Sequence, residues 1–86
     1  MVDYSKIPSP YMIDGVRNWL EKGIEPGSFL QALLMNDFAM AVVKADSMNK
    51  HLLHDWAIFL LNEMPPEAWG SEMTYQRWKE RHDDPH

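Results

Sequence analysis

At 86 residues without a cysteine, the chain has room for one small domain and excludes a disulfide scaffold or a Cys-based metal staple. Thirteen acids against eight bases give a net charge of −5, which excludes the broad basic face that direct nucleic-acid binding needs. The apolar content of 45%, with four Trp and seven Met, is enough for a packed core, and the smallness of that core makes self-association an expectation.

The first helix is predicted over about 10–22. Ser9-Pro10 supplies an N-cap and a proline at the first helical position, Met12, Ile13, Val16, Trp19 and Leu20 recur at helical spacing, and Gly23 closes the segment. Gly15 inside it is either a tolerated glycine or a point of close approach. Pro26 opens a second helix whose Phe29, Leu30, Leu33 and Leu34 share a face. Asn36-Asp37 then offers a fresh N-cap, so Phe38, Ala41, Val42 and Ala45 belong to a third, short helix, or else one helix runs from 26 to 45.

Asp46-Ser47 repeats the capping signal and opens what should be the longest helix, about 47–63, stopped by Pro65-Pro66. Its stretch Trp56 to Leu61 is apolar nearly all round, which places it at the centre of a bundle or against another subunit. Trp56, Ile58, Phe59, Leu61 and Met64 are therefore the interface candidates. Gly70-Ser71 caps a last helix to about Arg81, with Met73, Trp78 and Tyr75 expected to pack inward, and a polar tail over 82–86. The expected fold is all-α: one compact domain over residues 1–86, a bundle of about five short helices with its ordered core over about 9–81.

The pattern Gly23-Ile24-x-Pro26-Gly27-Ser28-Phe29-Leu30-x-Ala32-x-Leu34-x-Asn36-Asp37, followed by Ala45-Asp46 and Trp69-Gly70-Ser71, resembles a family of small bacteriophage-encoded helical proteins. The likeness spans about residues 11–81. It implies a phage origin and a host-directed or accessory role, and it brings no catalytic residues with it.

No group of residues amounts to a chemical signature. His51 and His54 lie three apart beside Asp55, but no third ligand stands at a telling spacing, so they read as a solvated helix face and no metal site is expected. Ser28, Ser47 and Ser71 each sit where a helix cap explains them. No cofactor motif is present and no enzymatic activity is expected. The basic run Arg77-Trp78-Lys79-Glu80-Arg81 is diluted by its own acid.

Three features suggest binding. Gly27-Ser28 at a helix start could admit a phosphate to free backbone N–H groups, with Arg17, Lys22 or Lys44 as counter-charge, although Glu25 opposes it and an ordinary helix start explains the same residues. Trp69 either plugs the end of the core or forms an aromatic wall for a flat ligand. Met35, Met40, Met48, Met64 and Met73 are either core filler or adaptable contact surface.

The expected function is therefore non-catalytic: a phage accessory protein countering a host defence or regulatory factor by stoichiometric binding. It would clamp a host protein or, as a homo-oligomer, sequester a small phosphorylated signal. An assembly or structural adaptor presenting an apolar helix to a protein partner is the alternative. The N-terminus lacks the basic-then-apolar order of an export signal, and no apolar run approaches the roughly 20 residues that cross a bilayer. The cytoplasm is the expected location.

Overall fold

Buried apolar side chains from every helix meet in one cluster, built around Trp19, Trp56, Tyr75, Leu30, Leu34 and Val16. The computed structural model describes residues 2–83. Among them, five α-helices follow in order, joined by short 3-10 turns and loops: α1 Ile13–Lys22, α2 Ser28–Leu34, α3 Phe38–Lys44, α4 Leu53–Glu63 and α5 Glu72–Asp83. The protein is an all-α single small domain, and no described helix is long and apolar enough to cross a membrane. The core reaches upstream of residue 9, because Ile7 is buried behind a 3-10 turn at Tyr4–Lys6. Residues 84–86 of the expected polar tail lie outside the described residues.

Local chemistry sets most boundaries. Pro10 begins a 3-10 turn that leads into α1, and Gly23 ends that helix at φ 65°, its N–H returning to the Asn18 and Trp19 carbonyls. The segment 26–45 is two helices. Asn36 adopts a left-handed φ of 58°, and the Asp37 carboxylate then accepts the Met40 N–H at 3.2 Å, satisfying one of the free donors of the new helix start. Pro65 and Pro66 follow the last turn of α4, where a further helical N–H is missing. Ser71 caps α5 by accepting the Thr74 N–H at 3.0 Å.

The segment expected as one long helix over 47–63 is broken. Asp46 does cap, accepting the Asn49 N–H at 2.7 Å, but what it caps is a 3-10 turn at Asn49–His51. Leu52 leaves the helical region at φ −117°, ψ 12°, and α4 begins only at Leu53. The cause is tertiary: Asn49 is buried and its amide is held by groups from the N-terminal segment and from Trp56. At 12 residues, α5 is longer than the 11 of α4.

The last helix is clasped to the first by aromatic groups. Trp19 stacks on Tyr75 with centroids 4.4 Å apart, the Trp19 indole donates to the Ala68 carbonyl at 3.0 Å, and the Trp78 indole donates to the Trp19 carbonyl at 2.8 Å. Tyr75 donates its hydroxyl to Glu25, which also pairs with Lys79 at 3.2 Å. Burial, then the Glu25 carboxylate, pushes the Tyr75 phenol well above the usual range, so it stays a donor at all physiological pH. Met73, expected to pack inward, is exposed instead; Tyr75 and Trp78 occupy the inner face. His82, expected in the tail, belongs to α5 and meets Gly23.

Gly15 needs no special conformation. A methyl group there would sit 3.7 Å from Leu30 Cδ2, an ordinary contact. Gly15→Ala should therefore raise stability by about 0.5–1 kcal/mol through helix propensity alone. Urea unfolding followed by circular dichroism checks this, and a lowered midpoint would show that the added methyl does not fit against Leu30.

Candidate functional site

The α2–α3 corner produces a groove on the protein surface. Because Asn36 turns the chain sharply and Asp37 caps α3, Phe38 is set at the mouth of a cavity of about 220 Å³ whose floor includes Leu33, Leu53 and Leu60. Leu61 from α4 and Trp69 from the α4–α5 connection form the other walls. The connection is fixed there by a backbone bond from the Gly70 N–H to the Leu34 carbonyl at 2.8 Å. Trp69 is half-buried, packed against the core on one side and lining the groove on the other.

This groove opens onto exposed apolar side chains. Phe38 is 58% exposed and Leu61 68%, and Met40, Val42 and Val43 on α3 also face solvent. Of the stripe expected to pack α3 inward, only Ala41 is buried and Ala45 partly so. A seven-residue helix gains little from its own hydrogen bonds, and a solvent-facing run of Phe, Met and Val is the kind of patch that marks an interaction surface.

The interface candidates divide by face. Trp56, Phe59 and Met64 lie in the core, with Trp56 edge-on to both Phe29 and Phe59. Ile58 and Leu61 are exposed. An all-round apolar helix in so small a protein must leave one side uncovered, and α4 leaves these two.

The candidates for a phosphate site are scattered. Arg17 is on α1, paired with Asp14 at 3.7 Å and with its guanidinium 5.0 Å from the Tyr4 ring centroid. Lys22 and Lys44 are the last residues of α1 and α3. Gly27 is the N-cap of α2 and Ser28 its first residue; neither is enclosed, and Ser28 makes no capping bond. Of the six, Trp69 alone lines one of the described cavities. Ser47, also expected to cap, lies in the turn that Asp46 caps instead.

A second polar constellation was not expected. Ser9, read as a helix cap, is fully buried and donates its hydroxyl to Asn49 Oδ1, which also accepts the Trp56 indole N–H at 3.0 Å. Asn49 Nδ2 donates to the Tyr11 hydroxyl at 3.0 Å, and Tyr11 in turn donates to Asp46. The Tyr11 and Asn49 hydrogen bonds hold the Asp46 carboxyl below its usual range, and the Asp46 contact holds the Tyr11 phenol above its own. No buried side-chain nitrogen or oxygen among the described residues lacks a partner. A network satisfied in this way fixes packing.

A larger hollow of about 440 Å³ lies between the N-terminal segment and α4, crossed at its rim by the Lys6–Glu63 pair at 3.6 Å. A third, of about 390 Å³, lies against α5 and is lined by Glu67, Thr74, Arg77, Trp78 and Arg81. His51 and His54 are exposed, and no three His, Asp or Glu side chains among the described residues converge as metal ligands would.

No protein-family model, curated protein or solved structure matches the chain.

Proposed function

We propose that the protein is a non-catalytic accessory factor that acts by stoichiometric binding to another protein, in the host-directed role that its phage-like pattern implies. The observation that carries this reading is the apolar groove walled by Phe38, Leu61 and Trp69 and continued by the exposed face of α3. With 58% of Phe38 and 68% of Leu61 still exposed, covering them would contribute about 1–2 kcal/mol each, enough for two anchors of a binding surface. A groove between helices with an apolar floor accepts the apolar face of an amphipathic helix. Asp37 at the rim and the net charge of −5 favour a partner with basic flanks.

A pull-down from host lysate tests the reading directly. The double variant Phe38→Asp/Leu61→Asp alters two exposed side chains and should keep the fold. It is expected to lose its partner, with affinity falling about a hundredfold or more. Equal recovery by wild type and variant would remove the groove from consideration. Size-exclusion chromatography of the purified chain identifies a second copy as the occupant if the wild type runs larger than the variant. Co-sedimentation with virions would instead assign the same face to an assembly adaptor.

A further inference from the structure

The cleft between the 3-10 turn at Pro66–Ala68 and α5 has a chemistry unlike the rest of this acidic surface. Arg77 and Arg81, one helical turn apart, both line it, and neither forms an ion pair with a carboxylate of residues 2–82. Arg81 is already positioned: its guanidinium lies 4.9 Å from the Trp78 ring centroid, and that indole is anchored by its bond to the Trp19 carbonyl. Two guanidinium groups on one wall are suited to a phosphate, which they can grip with paired N–H donors. On the facing wall stands Glu67. A carboxylate there repels a simple polyanion and selects a ligand that is anionic at one end and a hydrogen-bond donor at the other. The volume of about 390 Å³ is within the range of small-molecule sites.

We infer that this cleft binds a nucleoside monophosphate, its phosphate held by Arg77 and Arg81 and its base edge read by Glu67. Guanine fits best, because its N1–H and N2–H present two adjacent donors to a carboxylate, whereas adenine places an acceptor at N1. The cleft shares no lining residue with the groove, so the two assignments stand or fall separately.

The experiment is a titration of the ¹⁵N-labelled full chain with guanosine monophosphate, adenosine monophosphate, guanosine and inorganic phosphate, followed by nuclear magnetic resonance. Guanosine monophosphate should shift the Arg77 and Arg81 side-chain signals saturably. The other three should bind about tenfold more weakly, since each lacks one of the two recognised ends. Arg77→Ala/Arg81→Ala, both at exposed positions, should weaken the nucleotide by about tenfold or more. Glu67→Gln should remove the preference for guanine over adenine. Absence of saturable shifts, unchanged affinity in the folded double-arginine variant, or phosphate binding as tightly as the nucleotide would each overturn the proposal.

Discussion

Replacing Asn49 with leucine is expected to lower the unfolding free energy by about 3–5 kcal/mol, although the two side chains share the same branched outline and no cavity is opened. The damage comes from what is left behind. Asn49 Oδ1 is the acceptor for both the Ser9 hydroxyl and the Trp56 indole N–H, and all three side chains are buried. Each stranded donor costs about 1–3 kcal/mol in desolvation that is no longer offset. Tyr11 loses its bond from Asn49 Nδ2 as well, which loosens the N-terminal segment from the 3-10 turn before α4. Urea unfolding followed by tryptophan fluorescence measures the loss. A change below about 1 kcal/mol would mean that Asn49 is not the acceptor for these donors.

Gly23→Ala should cost about 2–4 kcal/mol, the opposite sign to Gly15→Ala on the same helix. At φ 65° an L side chain is strained. The added methyl would also overlap His82 Cβ and lie 2.8 Å from His82 Cγ. A β-carbon cannot rotate away, so the end of α5 must move. Hydrogen exchange should show weakened protection concentrated in the last turn of α5. Adding His82→Gly separates the two terms: the steric part should be recovered in a double-mutant cycle, and the dihedral part should remain. Additive effects would show that the helices part without resistance.

What the sequence makes legible here is punctuation. Gly23, Asp37, Pro65 and Ser71 act within a turn of their own position, and each acts in the structure as local rules require. The paired Gly-Ser dipeptides mark the boundary of that legibility. In Gly70-Ser71 the serine caps the helix, while in Gly27-Ser28 the glycine occupies the cap and the serine is already inside. Nothing in the dipeptide distinguishes them; the approach of each segment to the core does. The break before α4 was hidden for a similar reason, because the groups that hold Asn49 come from Ser9 and Tyr11, far away along the chain.

The apolar runs were visible but not their orientation. In Trp56 to Leu61 every position reads as core, and only packing decides that Trp56, Phe59 and Leu60 turn in while Ile58 and Leu61 turn out. The groove was hinted at by Trp69 alone, since its other walls come from α2, α3 and α4. Likewise the run from Arg77 to Arg81 looks self-neutralised in one dimension. Wound into α5, it brings Arg77 and Arg81 to one cleft whose lining does not include Glu80.

The indole hydrogen bonds give the molecule three internal gauges. Trp19 reports on the joint between α1 and the turn before α5, Trp56 on the seam between α4 and the 3-10 turn that precedes it, and Trp78 on the contact of α1 with α5. Each N–H gives its own resonance and its own exchange rate. A partner that prises α5 from α1 would therefore accelerate Trp78 and leave Trp56 unchanged, so that the route by which this protein yields under load can be followed joint by joint, without attaching a label.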